Sequence, residues 1–360
     1  MSFEQGAAGW SDAAIPRPRQ TPAPAPIRVG ISACILGEPV RYNGGHKLDR
    51  FIRETLGKYV EFVAVCPEVE VGMGIPREAL RLVERAPAPQ PENGCRKSAA
   101  PAASSSEPSV RLVTSKTGAD WTDRMLAYAQ RKCDELASRD LCGYILQRRS
   151  PSCGMARVRV YPEAGGQPAQ HGRGLFAQVL LQRLPTLPIE EDGRLNDPML
   201  RENFIERVFA YRRLRVLLGS NWRLRDLVAF HSREKMLLLG HDPQTYQQLG
   251  RLVGRAKQLP RAEVAAQYER LFMAGLQKIA TRKKQTNVLQ HIMAHFSRRL
   301  DAGDREELHE VVESYRIGLV PLVVPLTLVR HHIRRLPVPY LEQQTFLEPH
   351  PRELMLRNHA

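Results

Sequence analysis

GYILQRRSPSCG, residues 143–154, is a short apolar run followed at once by a turn rich in hydroxyl side chains, which carries Cys153. The run has the length and character of a buried strand. Two further stretches share this design: IRVGISAC, residues 27–34, and EFVAVC, residues 61–66, each end on a cysteine. We therefore predict three strands, each followed directly by a thiol.

Helical patterns separate these runs, at residues 47–56 and 120–138. Strands that alternate with helices predict an α/β domain with a parallel-type sheet. In such a sheet, ligands bind in the crevice beyond the carboxyl ends of the strands. Because Cys34, Cys66 and Cys153 all stand at strand ends, we expect the three thiols to converge there.

The rest of the chain divides by composition. Residues 1–26 are rich in Pro and Ala and lack the basic-then-apolar pattern of a secretory signal, which predicts a disordered lead-in. The α/β domain is predicted at residues 27–192, with a flexible Pro/Ala/Ser-rich insertion at 86–109. Helical patterns fill residues 196–358 and predict an all-α C-terminal domain, whose first helix Asp197 caps ahead of a proline.

The charge of the chain is strongly basic, with 53 Lys plus Arg against 38 Asp plus Glu and a formal net charge of +15. Such a balance indicates a polyanionic partner, which could be RNA, DNA or an anionic membrane surface, or a merely solvated basic surface. No apolar run is long enough to cross a bilayer, so we expect no membrane span and a cytoplasmic protein.

Six cysteines in a cytoplasmic protein suggest metal binding or catalysis more than disulfides. Strand-end cysteines could also be small buried apolar residues, but the three in question are followed by loop-type sequence. Three thiolates suit zinc, copper(I) or an iron–sulfur cluster. Zinc normally takes four ligands in a structural site, whereas a cubane held by three thiolates keeps one iron open. The other cysteines are not expected to be ligands: Cys95, Cys133 and Cys142.

Three motifs of the first half, in order, resemble the thiouracil desulfidase family: ISACILGEPVRYNGGHK, CPEVEVGMGIPRE and RRSPSCG. The resemblance implies a [4Fe–4S] cluster on Cys34, Cys66 and Cys153, with the open iron binding the thiocarbonyl sulfur. It also implies that Glu68 and Ser150 assist proton transfer. Glu68, two residues past a cysteine, is the natural general base, although it could instead be a helix cap or a surface carboxylate. Ser150 could relay a proton or orient the substrate, or it could serve only to cap its turn.

The second half resembles a helical domain found fused behind this module, in segments such as LVAFHSREKMLLLGHD and LEPHPRELMLRN. Two-domain desulfidases of this kind are associated with 4-thiouridine in transfer RNA, and the resemblance implies that the helical part helps to hold the RNA. Phosphate contacts from Lys and Arg would supply affinity. The candidates are Arg212, Arg213, Arg282, Lys283, Lys284, Arg298, Arg299, Arg330, Arg334 and Arg335.

Three functions remain open on the sequence. The first is a non-redox [4Fe–4S] desulfidase that converts 4-thiouridine in tRNA to uridine and releases sulfide. The second performs the same chemistry on small, free thiolated uracils. The third is a non-catalytic, cluster-bearing sensor that binds nucleic acid. Binding through phosphates would weaken as salt rises, whereas binding of a neutral base would not.

Overall fold

The computed structural model describes residues 26–84 and 110–359. The predicted lead-in, apart from its last residue, and the predicted insertion at 86–109 with Cys95 lie outside the described residues.

The first half is built on a parallel four-stranded sheet with the strand order β2-β1-β5-β8. Every pair of neighbouring strands runs parallel. The predicted strands are confirmed, although the third begins two residues earlier than the pattern indicated. The strands are β1 (Arg28–Ser32), β2 (Glu61–Val65), β5 (Leu141–Leu146) and β8 (Ile189–Glu191).

Helices cover both faces of this sheet. Successive side chains of a strand point to opposite faces, and β5 shows the result. Tyr144 packs on one face against Phe176 of α3 (Leu175–Arg183), which lies beside α2 (Thr122–Ser138). On the other face, a side chain at Gly143 would meet Val208 of helix α4 (Pro198–Leu218), so the missing side chain lets that helix approach closely.

The segment between β1 and β2 differs from its prediction as a helix at residues 47–56. It holds only a π-type turn at Phe51–Thr55, continued by a 3-10 turn at Leu56–Lys58. The preceding residues are bound elsewhere, because the Lys47 amide donates to the Cys34 carbonyl at 2.8 Å and the Asp49 amide to the Ile35 carbonyl at 2.9 Å. Tertiary hydrogen bonds therefore replace the first helical turn.

A second, mixed sheet was not predicted from the sequence. Its order is β4-β3-β6-β7, and the two outer pairs are antiparallel. Its strands β3 and β4 flank the predicted insertion. The strands are β3 (Leu80–Glu84), β4 (Val110–Thr114), β6 (Val158–Tyr161) and β7 (Ala169–Gly172).

The second half is helical, as predicted. Asp197 caps its first helix by accepting hydrogen bonds from the Met199 and Leu200 amides, and the helix ends at Gly219, as the sequence indicates. The described helices are α4 (Pro198–Leu218), α5 (Leu224–His241), α6 (Pro243–Gly254), α7 (Arg261–Gln277), α8 (Arg282–Ala294), α9 (Ala302–Ile317), α10 (Val323–Arg335) and the short α11 (Pro339–Glu342).

The fold class is therefore the predicted one, an α/β first half with a parallel sheet followed by an all-α second half. Among the helices that the structure describes, none combines the length and apolarity needed to cross a membrane. The domain limits at residues 192 and 196 stay predictions.

Candidate functional site

A cavity of about 530 Å³ opens at the carboxyl ends of the parallel strands. It is lined by the side chains of Cys34, Cys66 and Cys153, together with Glu68 and Ser150. The structure thus brings all five residues that the sequence singled out for chemistry to one hollow, at the place that the rule for parallel sheets indicates.

Cys34 lies in the 3-10 turn Ala33–Leu36 that follows β1 directly. Its side chain is 9% exposed, and its Sγ lies 3.6 Å from Oε1 of Gln147, the residue that follows β5. Burial, together with the neighbouring Cys66, raises the pKa of the Cys34 thiol to about 12. The thiol is therefore a poor nucleophile on its own. A strong positive charge beside it, such as a metal ion, would stabilise the thiolate and allow the proton to leave.

Cys66 occupies the N-cap position of α1 (Pro67–Glu70). Its backbone amide donates to Oε1 of Glu70 at 3.3 Å. Glu70 is in turn held by the Tyr128 hydroxyl and the Lys132 ammonium of α2, both at 3.0 Å from Oε2. Burial raises the pKa of the Cys66 thiol as well. Helix α2 thus fixes the backbone that presents this thiol.

Cys153 lies in the turn after β5 and is 5% exposed. Ser150 shapes this turn, because its Oγ accepts hydrogen bonds from the amides of Ser152 at 3.2 Å and Cys153 at 3.1 Å. The capping role that the sequence left open for Ser150 is therefore present, and it leaves the hydroxyl proton free to donate. Gly174, just before α3, packs so closely that a side chain there would sit 2.4 Å from the Ser152 carbonyl oxygen.

Glu68 is held from two sides. Oε2 accepts from Nη2 and Nε of Arg77 at 2.5 and 3.0 Å, and Oε1 accepts from the Ser152 hydroxyl at 2.8 Å. The Arg77 side chain is only 4% exposed, so this ion pair is shielded from solvent. A fixed, half-buried carboxylate beside three thiols is suited to accepting a proton from a bound molecule.

The spacing and charge of the thiols bear on which metal they suit. Cys153 is buried among its neighbours, and burial raises its pKa well above the usual value, with Glu68, Cys34 and Cys66 adding to the effect. Among the described residues, these three sulfurs do not form a group with all ligand atoms within 4.8 Å of one another. A tetrahedral zinc with bonds of about 2.3 Å needs sulfurs about 3.8 Å apart. The arrangement therefore suits a larger, polynuclear centre better than one zinc ion.

The remaining described cysteines stand apart from the cavity. Cys133 lies on α2 and Cys142 in β5, and both are fully buried among apolar side chains. Neither lines the cavity. Their placement agrees with the prediction that they are not ligands.

Sequence reasoning missed two residues of the site, Arg77 and Ser152. Both stand in motifs that the sequence analysis quoted, IPRE and SPSC. The hydroxyl-rich turn was a signal for Ser152, whereas the pairing of Arg77 with Glu68 spans nine positions across a loop and left no local pattern.

The basic residues predicted to hold RNA fall into two groups. Several are bound internally: Arg213 pairs with Glu234 at 2.7 Å, Arg335 with Asp304 at 3.3 Å, and Lys284 donates to the His241 carbonyl at 2.6 Å. Arg212 pairs with Asp140, Arg299 donates to the Pro337 carbonyl, Arg282 lies over the Tyr315 ring, and Nε of Arg330 is buried. The candidates that are exposed and make no such contact with another described residue are Lys283, Arg298 and Arg334.

Comparisons with known proteins give separate matches in the first and second halves of the chain. Residues 29–192 match a family model described as 2-thiouracil desulfurase, and residues 235–351 match one described as a protein of unknown function, DUF1722. The uncharacterized protein YbgA of Escherichia coli (strain K12) is 31% identical over 153 residues, which are 42% of this chain and 90% of YbgA. The solved structure of the [4Fe-4S]-dependent thiouracil desulfidase TudS is 25% identical, covers 47% of this chain and 93% of its own, and has a TM-score of 0.34.

The matched desulfurase region contains the whole thiol cavity, with Cys34, Cys66, Glu68, Ser150 and Cys153. The hypothesis of a sensor without turnover finds no support in these matches. The chain belongs to the family of YbgA, and with its 2-thiouracil desulfurase region it is a desulfidase.

Proposed function

We propose that this protein converts 4-thiouridine in tRNA to uridine and releases sulfide, with a [4Fe–4S] cluster held by Cys34, Cys66 and Cys153. The observation that supports this proposal most is the convergence of two buried thiols, one half-buried thiol and one fixed carboxylate in a single cavity. A volume of about 530 Å³ lies within the range of sites for small molecules.

The donor set fits such a cluster. Thiolates are the usual ligands of iron–sulfur centres, and three of them leave one iron without a protein ligand. When bound, the cluster supplies a Lewis acid that stabilises charge on the sulfur of a thiocarbonyl group. Burial raises the pKa values of the three thiols, so the protein alone favours their protonated form, and a bound metal centre would stabilise the thiolates.

Glu68 takes the role of general base in this proposal. Water adds its oxygen to the thiocarbonyl carbon, the carbon–sulfur bond breaks with its electron pair on sulfur, and sulfide leaves. One proton of the water passes to Glu68 as the oxygen adds, and the second leaves the new hydroxyl group as the carbonyl forms, so that the two protons end on the departing sulfide or in solvent. The reaction is a net hydrolysis without electron exchange. Arg77 and Ser152 keep the carboxylate turned in one direction, which favours proton transfer at a fixed place.

Ser150 is proposed to orient the substrate. Its oxygen is engaged by two backbone amides, so its hydroxyl can donate a hydrogen bond into the cavity that it lines. A uracil ring offers carbonyl oxygens and ring nitrogens as partners. The same contacts keep Cys153 in place, so Ser150 serves the metal site and the substrate together.

The proposal that the substrate is tRNA, and not a free base, rests on the charge of the chain. A net charge of +15 suits a polyanion, and a nucleoside within RNA must be turned out of its stack to reach a cavity at a sheet end. Basic residues of the helical half, among them Lys283, Arg298 and Arg334, are exposed and available for phosphates.

The test is an anaerobic incubation of the purified protein with thiolated tRNA, followed by nucleoside analysis and a sulfide assay. We expect 4-thiouridine to disappear with equal release of sulfide. Iron analysis should give about four irons per chain, as a cubane requires. Cys34→Ser, Cys66→Ser and Cys153→Ser should lose iron, whereas Cys133→Ala and Cys142→Ala should keep it.

Free thiolated uracil is the alternative substrate, and the description of the matched family, 2-thiouracil desulfurase, favours it. The two substrates are distinguished by parallel assays on tRNA and on the free bases. Turnover of free bases with none on tRNA would overturn the tRNA proposal and leave the cluster chemistry standing.

A further inference from the structure

Exposed arginines surround the opening of the thiol cavity. Three of them line the cavity itself, and two smaller cavities of about 280 and 350 Å³ adjoin it and share these arginines. All belong to the desulfidase half of the chain. We refer to this set as the mouth arginines, and its members are Arg81, Arg148, Arg149, Arg157 and Arg159.

Among the described residues, no direct ion pair neutralises their positive charge. Within residues 26–84 and 110–359, no carboxylate lies within 4.0 Å of the guanidinium of any mouth arginine. The acids near the opening are engaged: Glu68 binds Arg77, and Oε1 of Glu191 accepts from the Met155 amide at 2.7 Å. Asp192 accepts from the Arg148 backbone amide at 2.9 Å, and its charge also interacts with that of Arg148, so Arg148 is partly balanced by this acid without a direct ion pair.

Two of these arginines are held in an unusual backbone conformation. Arg149 has a φ of 57° and Arg157 a φ of 55°, in the left-handed region that side chains other than glycine seldom adopt. The two residues stand on either side of the Cys153 turn. Such conformations carry a cost, and they tend to occur where function fixes the direction of a side chain.

The helical half offers a weaker case. Its predicted candidates are largely bound within the protein, for example Arg213 to Glu234 and Arg335 to Asp304. An arginine in an internal ion pair must break that pair before it binds a phosphate. Arg81 lies over the Tyr161 ring, but Arg149, Arg157 and Arg159 have no ion pair to break among the described residues.

We propose that the mouth arginines bind the RNA phosphates that flank the thionucleoside, an inference that rests on the proposed function of tRNA desulfuration. A nucleoside in the cavity remains joined to the phosphates on both of its sides, and these must cross the opening. Arginine binds phosphate oxygens through paired N–H donors and stays charged at every relevant pH. The desulfidase half, besides performing the chemistry, thus takes hold of the RNA chain.

The experiment compares the wild type with two variants that each lose three positive charges. The mouth variant is Arg149→Asn/Arg157→Asn/Arg159→Ala, and the control variant is Arg251→Ala/Arg255→Ala/Arg270→Ala. Asparagine is chosen at positions 149 and 157 because it tolerates a positive φ better than alanine does. The control arginines are exposed on the helical half and have no ion pair among the described residues. Anaerobic binding of unthiolated tRNA is measured between about 50 and 200 mM salt.

We expect the mouth variant to bind tRNA more weakly and with a smaller salt slope, by about one for each arginine removed. The control variant should keep the slope of the wild type. The ratio of turnover on thiolated tRNA to turnover on free thiouracil should fall in the mouth variant alone, and iron content shows that the site is intact.

Two failures are distinct. If the wild type binds no tRNA, the proposed function itself is wrong. If the wild type binds tRNA and the mouth variant keeps its slope and its turnover ratio, the inference alone is overturned. Equal losses in the mouth and control variants would likewise overturn it, because they would show a diffuse response to net charge.

Discussion

At the scale of single residues, the site depends on how firmly its polar side chains are held. Glu68 touches Arg77 and Ser152, and Glu70, two positions later, anchors the Cys66 backbone with help from Tyr128. Neighbouring acids of one short helix therefore have separate tasks, one facing the cavity and one facing α2.

Replacing Glu68 tests its role as the base. Glu68→Gln keeps the size of the side chain and removes the proton acceptor, so sulfide release should fall by about 10² to 10⁴-fold, the usual contribution of a general base. Iron content and absorbance report on the metal centre, which should be retained. Glu38→Gln, at an exposed position in the loop that follows Cys34, is the control and should release sulfide at the wild-type rate. Unchanged release by Glu68→Gln would remove Glu68 from the mechanism.

The residues that sequence could identify are those next to a strand end. Cys34, Cys66 and Cys153 each follow an apolar run, so the rule for parallel sheets places them together. Arg77 could not be found in this way, because its contact with Glu68 depends on how a loop folds back. An ion pair that forms only in the folded chain leaves no periodic trace in the sequence.

At the scale of elements, the Cys153 turn is supported by the start of α3. The Gly174 amide donates to the Gly154 carbonyl at 2.8 Å, and the Ala177 amide to the Ser152 carbonyl at 3.1 Å. The start of α3 thus binds the Cys153 turn through its first backbone amides, which have no partner within the helix.

Adding one methyl group at this junction should disturb the metal site. Gly174→Ala would place a carbon 2.4 Å from the Ser152 carbonyl oxygen and 2.8 Å from the Cys153 amide nitrogen. Such overpacking costs about 1–3 kcal/mol, so we expect a lower melting temperature and less bound iron. Gly254→Ala, where the added carbon meets nothing within 4 Å, is the matched control. Full iron content in Gly174→Ala would show that the turn can move without losing its ligand.

Elements were predictable where they were regular and local. The helix α4, with its Asp197 cap and its end at Gly219, follows from capping rules alone. The segment at 47–56 did not follow its pattern, because its amides bind the Cys34 loop. The second sheet escaped prediction since its strands β3 and β6 pair across a long separation in sequence, and pairing of that kind is set by the tertiary fold.

At the scale of the whole molecule, the helical half is closed by a buried network. Arg357, near the end of the chain, donates to Glu202 at 3.1 Å and to Glu206 at 2.6 Å, both on α4. Burial and the charge of Glu206 raise the pKa of Glu202. Burial alone would raise the pKa of Glu206 too, but Arg357 and His241 outweigh it and hold that pKa below its usual value.

The network predicts a loss of stability at high pH. An acid whose pKa is raised by folding stabilises the protein below its unfolded pKa, and this contribution is lost as pH rises through the folded pKa. Each pH unit within that window corresponds to about 1.4 kcal/mol for one group. The melting temperature of the wild type should therefore fall as pH rises from about 5 to about 8, where the folded pKa of Glu202 lies, and that of Glu202→Gln should fall less over the same range.

Glu307→Gln, an exposed acid on α9, should follow the wild type in this measurement. Parallel curves for all three proteins would show that Glu202 is ionised in the folded state at pH 7. Titration of the cysteines does not affect this comparison, because it contributes equally to the melting temperature of every variant.

The order of an α/β half before an all-α half could be predicted from alternating and helical patterns. How the halves meet could not, because Gly143 and Val208 carry no sign that they will touch.

Helix α4 makes contacts with both halves of the chain. Phe204 and Val208 lie on the bare backbone of β5, Arg215 reaches back to Asp140, and Glu202 and Glu206 face the helical interior. The connection between the enzyme half and the helical half is therefore not a loose linker, because α4 packs against both. Removing α4 would expose the face of β5 that carries Gly143, so the two halves share one packed interface.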